Sequence, residues 1–231
     1  MTFANNFSAL SVDLIQELAE AKTEAERDEI TSELKNNIER ICHTGLRADM
    51  KVKSMLEHSR SGKGERQLVN INQLCEEYLK IAYHGIRSKY PEFECTIEKT
   101  YDTNVQQHEM VPQEMTKAIW NILSNAFYAV KEKSRKGKTV SSFQPLVALT
   151  TESDENEIRI SIRDNGIGIS DEIKDKIFNP FFTNKPTDEG TGLGFSLSYD
   201  IIKAHGGDIT FVSTLAEGSE FIIVLKNFKK N

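Results

Sequence analysis

Three stretches of this 231-residue chain set chemistry-bearing residues at spacings that ask for a ligand. In "RISIRDNGIGIS" (159–170), Asn-Gly between apolar runs is the strongest short hairpin signal. Ile167, Gly168 and Ile169 are too few for a return strand before the helix start at Ser170. The strand must therefore end, leaving Asp164 at its tip beside Gly166 and Gly168, which let a ligand approach the backbone. A carboxylate only accepts hydrogen bonds. The 6-amino group of adenine donates, whereas guanine shows an acceptor there. A buried acceptor facing an acceptor leaves both unsatisfied, at about 1–3 kcal/mol each. Asp164 thus suits ATP over GTP.

In "NILSN", Asn121 and Asn125 stand one helical turn apart on one face. Asn is a poor residue inside a helix. Paired amide oxygens suit Mg²⁺, which takes oxygen ligands and keeps several waters when phosphates share the ion; solvated or core-bridging amides are the other reading. In "EGTGLGFSLSYDII", Gly190, Gly192 and Gly194 lie before and inside a helix start, where open amides and the helix dipole favour phosphate. Flexible turns use the same residues. Upstream, Lys185 in "NKPTDE" is either a point charge for a phosphate or a solvated lysine.

Asn-x-x-x-Asn, Asp-x-Gly-x-Gly, "FNPF" (178–181) and Gly-Thr-Gly-Leu-Gly, in that order, resemble the N, G1, F and G2 boxes of bacterial sensor histidine kinases. Their ATP-binding domain belongs to the gyrase, chaperone, histidine-kinase and mismatch-repair ATPase superfamily. The resemblance covers about residues 72 to 228. It implies a two-layer α/β sandwich, ATP and Mg as cofactors, and an ordered lid between Thr183 and Gly194. It also implies phosphotransfer from ATP to a histidine and on to a response-regulator aspartate. Carried over by position, Asn121 and Asn125 serve Mg²⁺ and phosphates, with Asn125 as the metal ligand, and Asp164 serves adenine. Gly166, Gly168, Gly192 and Gly194 are the glycines of the nucleotide loops. Ile169, Thr183, Lys185, Gly190, Thr191, Leu193 and Ser219 complete the implied cofactor-binding set. Tyr128 departs from the lysine that many members carry near the phosphates, so either Lys131 substitutes or the phosphate contacts shift to Lys185.

These residues need elements to hold them. The expected class is α+β: a helical hairpin over 1–60, then an ATP-binding domain over 68–231 with one helix layer on a mixed sheet. At the start, Phe3, Phe7, Leu10, Leu14, Leu18 and Ala21 recur at helical spacing. Thr23 and Glu26 form a capping box that opens a second helix. There Ile30, Leu34, Ile38, Ile41, Gly45, Ala48, Val52 and Met55 follow a heptad. The tight connection predicts an antiparallel hairpin, and two copies a four-helix bundle in a homodimer; a hairpin packed on its own chain's globular domain is the alternative. "HSRSGKGERQ" (58–67) reads as a linker, and Asn72 as the cap of the next helix. "FECTIEKTYD", "PLVALTT", "EIRISIRD", "DITFVST" and "EFIIVL" read as strands. "VPQEMTKAIWNILSNAFYAVKEK" and the stretch to Ala204 read as helices.

The net charge of −6 argues against a nucleic-acid surface and gives no attraction to anionic lipid. No apolar run reaches the roughly 18 residues of a spanning helix, and there is no signal-peptide pattern. Cys42, Cys75 and Cys95 read as reduced thiols, so a cytoplasmic location is expected.

The family's phosphoacceptor is a His followed by an acid, with Pro-Leu a few residues later, on the first helix of the hairpin, and none of the five histidines, His43, His58, His84, His108 and His205, has that whole context. The second helix would run about 52 Å and the first about 28 Å, a deficit of about 16 residues before Met1. The expectation is a chain that binds ATP, lacks its acceptor box and does not phosphorylate itself. Another ATPase of the same fold, and a non-catalytic nucleotide-regulated scaffold, are the alternatives.

Overall fold

The computed structural model of the chain describes residues 2–59, 64–105, 107–136, 143–186 and 190–226, without the side chains of 2–5, 43, 46–59 and 136. It divides into two compact units, residues 1–59 with 183–191, and residues 60–182 with 192–231.

In the first unit, α1 (Thr2–Glu20) and α2 (Glu24–Ser59) form the expected hairpin. The capping box is made: Glu26 N–H donates to Thr23 Oγ1 at 3.3 Å, and Thr23 N–H to Glu26 Oε2 at 3.2 Å. The Arg40 guanidinium lies 5.3 Å from the Phe7 ring centre, which pairs the arms antiparallel. The inner face of α1 differs from the expected stripe. Ser11 and Leu14 are buried, while Leu10 is 50% exposed. Ser11 can take an inner position because its hydroxyl donates back to Phe7 O at 2.8 Å, leaving no polar group unpaired. On α2, Ile30, Leu34 and Ile41 are half-buried and Ile38 is 49% exposed. The side chains of Phe3, His43, Ala48, Val52, Met55 and His58 lie outside the described ones.

The second unit begins with β1 (Gln67–Asn70) and α3 (Ile71–Lys89), followed by β2 (Thr96–Tyr101), β3 (Gln107–Met110) and α4 (Pro112–Lys136). Next come β4 (Leu146–Ser153), β5 (Glu157–Asp164), α5 (Asp171–Lys174), α6 (Gly194–Ala204), β6 (Asp208–Thr214) and β7 (Gly218–Lys226). The strands order as β2-β4-β5-β7-β6 in a mixed sheet, with β2 and β4 parallel and the other pairs antiparallel. Alternation buries one face: Val147 and Leu149 on β4, Ile158, Ile160 and Ile162 on β5, and Phe221, Ile223 and Leu225 on β7. Against it lie α3, α4 and α6, with Met115, Ile119, Ile122, Ala126 and Val130 as the inner stripe of α4.

Two local readings change. The cap of α3 is Asn70, whose side chain accepts from Gln73 N–H at 3.0 Å. Asn72 instead ties the helix to the sheet, donating to Asp102 O at 2.9 Å and accepting from Thr151 Oγ1 at 2.7 Å. The second change is a separate antiparallel ribbon, in which β1 at the end of the expected linker pairs with β3. Its partners are about forty residues apart in sequence, and a four-residue strand has too little period to read alone.

Candidate nucleotide site

Helix α4 is the floor on which the loops meet. Asn121, Asn125 and Ala129 follow each other at four-residue steps, about 6 Å apart along the axis. At the first, Asn121 Nδ2 donates to Gly194 O at 3.2 Å, so the helix holds the start of α6. At the last, Ile167 N–H donates to Ala129 O at 3.3 Å, so it holds the loop after β5. Asn125 stands between, one turn from each.

Asp164 ends β5, as expected from sequence, and is 5% exposed. Its Oδ1 accepts from Gly166 N–H at 2.8 Å, and the Ser219 N–H on the neighbouring β7 also donates to the carboxyl. Burial nonetheless dominates and pushes its pKa up to about 6, with the two N–H groups and the Lys133 charge opposing. The Gly166 backbone is packed on α4, since a Cβ there would fall 2.5 Å from the Ala129 carbonyl carbon. Gly168 has φ +65, where a Cβ would fall 2.0 Å from Thr214 O. Ile169 N–H donates to Ser213 Oγ at 2.8 Å, and Ser213 Oγ lies 2.9 Å from Ser219 Oγ, which secures the loop to the β6–β7 end.

The glycines before α6 are held by the "FNPF" segment. Gly192 has φ +70, and a Cβ there would fall 2.4 Å from the Phe181 carbonyl carbon. Phe178 sits on Phe195 of α6 with ring centres 6.2 Å apart, and Phe195 stacks on Phe221 of the sheet at 4.7 Å. Leu193 is the N-cap position of α6, and its apolar side chain makes no cap hydrogen bond. Such a terminus suits an anion.

Thr183, Lys185, Gly190 and Thr191 fall in the unit that contains the hairpin. There Lys185 N–H donates to Thr183 Oγ1 at 3.1 Å. Residues 187–189 of the expected lid lie outside the described ones. Lys131 lies against its own fold: Nζ is 2.7 Å from Glu132 Oε1 and 4.1 Å from the Tyr90 ring centre. The residues that sequence reasoning missed are Ala129, Asn165 and Lys133. Continuing the four-residue step from Asn121 and Asn125 reaches Ala129 and then Lys133, and that was the available signal.

For a metal, no group of three His, Cys, Asp or Glu side chains occurs among the described residues. Asn121 donates one of its two amide hydrogens to Gly194 O, leaving its oxygen to accept. Two amide oxygens one turn apart fit a Mg²⁺ that phosphates and waters otherwise complete, and they fit no metal held by protein alone.

Among the histidines, His205 ends α6, where Nδ1 faces Ile201 O at 2.7 Å and Nε2 accepts from Val111 N–H at 3.0 Å. His108 is 3% exposed, and burial, with His205 and Arg66 nearby, holds its pKa below the usual value. His84 is exposed on α3.

Residues 110–228 match the family described as histidine kinase-, DNA gyrase B-, and HSP90-like ATPase. The chain belongs to that family. Its relatives are sensor kinases. It is 34% identical over 175 residues to the signal transduction histidine-protein kinase AtoS of Escherichia coli, a match covering 75% of this chain and 26% of AtoS. It is 24% identical to the sensor protein FixL of Bradyrhizobium diazoefficiens, over 88% of this chain and 38% of FixL. The solved catalytic domain of histidine kinase ThkA is 27% identical, with a TM-score of 0.53, over 70% of this chain and 95% of that one. Full-length ShkA, solved with AMPPNP, shares the fold at 18% identity, with a TM-score of 0.60 over 96% of this chain and 45% of that one. The chain thus carries the ATP-binding domain of a bacterial sensor histidine kinase. It spans about a quarter to two fifths of the length of AtoS and FixL. No helix among the described residues is long and apolar enough to cross a membrane.

Proposed function

We propose that this chain binds Mg-ATP through Asp164, Asn121, Asn125 and the amides before α6, and is the phosphoryl-donor half of a histidine kinase. Asp164 reads the 6-amino group of adenine. Asn125 and the Asn121 oxygen share Mg²⁺ with the phosphates, and Gly192 to Gly194 receive them. The observation that carries this reading is the buried carboxylate at the end of β5, held by two backbone N–H groups. Lys185 and Thr183 are further candidates for the phosphates, and Lys131 supports α4.

In the reaction, the bond from Pγ to the ADP oxygen breaks and a bond from Pγ to an imidazole nitrogen forms. The phosphoryl then passes to an aspartate of a response-regulator receiver domain. Positioning supplies most of the catalysis in such transfers. The acceptor is not among the five histidines here: His108 and His205 are buried, and Glu109, the one acid that follows a histidine, stands with His108 in β3 rather than on a hairpin helix. The hairpin pairs two copies in a cytoplasmic homodimer.

Calorimetry with ATP and GTP, with and without Mg²⁺, tests the site. Tight, Mg-dependent ATP binding and weak GTP binding are expected; equal affinities end the adenine assignment. Incubation with γ-labelled ATP is expected to leave this chain without acid-labile label. Label that disappears in His43→Gln would show an acceptor within the hairpin.

A further inference from the structure

The turn that aims Asp164 is gripped from two sides. On the sheet side, Asn165 N–H donates to Leu146 O at 3.2 Å and its Oδ1 accepts from Leu146 N–H at 2.9 Å. The Asn165 amide then donates to Gln144 O at 2.8 Å. On the helix side, Lys133 Nζ donates to the Asn165 carbonyl at 2.7 Å. The same ammonium lies 4.6 Å from the Phe143 ring centre. Both partners are neutral, so neither cancels its charge.

The groups facing Asp164 come from three elements. Lys133 approaches from α4, the Ser219 N–H from β7, and the Cys95 thiol from the segment before β2. Cys95 is pushed up to about 12, chiefly by burial and further by the Asp164 charge, so it stays a neutral thiol at physiological pH. Lys133 is therefore the cation that balances the carboxylate among the described residues. The carbonyl it grips belongs to the residue between Asp164 and Gly166, so its placement and its charge act on the same turn.

We propose that Lys133 is a positioning residue for nucleotide recognition: seated on the Asn165 carbonyl, its ammonium fixes the turn that aims Asp164 and keeps that carboxyl ionised as an acceptor. The proposal rests on the reading of Asp164 as the adenine contact. It extends the nucleotide site one residue layer behind the ligand, to a side chain outside the four sequence boxes. Burial already pushes the Asp164 pKa up to about 6, and a protonated carboxyl puts a hydrogen where the adenine amino group also donates.

The test uses the full chain with Lys133→Met, which keeps the stem and removes the charge, and Lys133→Arg, which keeps the charge. Lys133→Gln serves in place of the methionine variant if that one melts early. In the nucleotide-free protein, NMR titration of the Asp164 carboxyl carbon is expected to shift upward by up to about one pH unit in Lys133→Met. It is expected to stay near the wild-type midpoint in Lys133→Arg. Equal midpoints in wild type and Lys133→Met overturn the proposal. Calorimetry across pH 5.5–8.5 should then show ATP affinity reduced by up to about tenfold at the acid end, with the gap narrowing as pH rises. A loss of the same size at every pH also overturns it, because a purely structural tie does not follow the Asp164 proton. If Asp164→Asn keeps full ATP affinity, the adenine reading fails by itself, and the titration still reports the coupling of Lys133 to Asp164.

Discussion

The hairpin and the α/β unit bury their apolar residues to very different degrees. Among the described residues of α1 and α2, Leu14 and Ser11 are buried, while Leu10, Val12, Ile15 and Ile38 are at least 49% exposed. The α/β unit has a continuous core from Ile71 to Leu225, with Phe127, Met115, Leu149 and Ile160 fully enclosed. Two helices can hide only the seam between them, whereas a sheet face under three helices closes on itself. The contrast is one of burial: the α/β unit encloses a core of its own, while the described faces of the hairpin leave large apolar side chains exposed.

The largest expected effect tests the core. Phe127 is 0% exposed and packs on Tyr83 with ring centres 5.5 Å apart. Phe127→Ala should cost about 3–5 kcal/mol and abolish ATP binding at moderate denaturant. Denaturation followed by Trp120 fluorescence measures it. A loss below about 1 kcal/mol would break the idea of a single enclosed core.

The next effect lies at the site. Asp164→Asn replaces an acceptor with a donor and should cost about 1–3 kcal/mol of ATP binding by calorimetry. The same variant separates binding from stability. Because its folded pKa of about 6 exceeds the ordinary aspartate value of 3.8, the native state holds more protons than the unfolded one between those pH values. The Asp164 contribution to stability therefore falls as pH rises through that window, and above pH 6 its ionised form costs about 3 kcal/mol. Asp164→Asn should be the more stable protein at pH 7, with the difference shrinking toward pH 4. His108 acts in the opposite sense, since its lowered pKa makes acid destabilising, and it cancels in the comparison of the two proteins.

The hairpin side is tested by Ile38→Asp with Ile41→Asp. Sedimentation should show a dimer becoming a monomer, with ATP affinity unchanged. A wild-type monomer would remove the pairing argument. The smallest effect is expected from Thr23→Ala, which loses a cap on an exposed helix start at about 1 kcal/mol. It should reduce hairpin helicity by circular dichroism and leave nucleotide binding untouched.

Much of the site was legible because its residues obey local rules. Asp164 ends a strand with a two-residue alternation, and "NGIG" leaves no room for a return strand. Asn121 and Asn125 lie on a helix whose apolar period is plain, and the glycines precede a helix start. The capping box at Thr23 is closed within four residues, so sequence contains all of it. Asn70 and Asn72 mark where that legibility stops. Both are good caps by type, and the choice between them depends on Asp102 and Thr151, which lie about thirty and eighty residues away.

From its sequence alone, the chain's elements and its order of boxes could be read, since each depends on neighbours within a few turns. The tertiary structure decided which charges are free to act. Lys131 and Lys133 are two residues apart on one helix and indistinguishable by type. Folding turns the first onto Glu132 and Tyr90, and the second onto the carbonyl behind Asp164. It also buries Asp164 itself, and the ionisation of a carboxyl depends on the dielectric and the charges that distant segments bring to it.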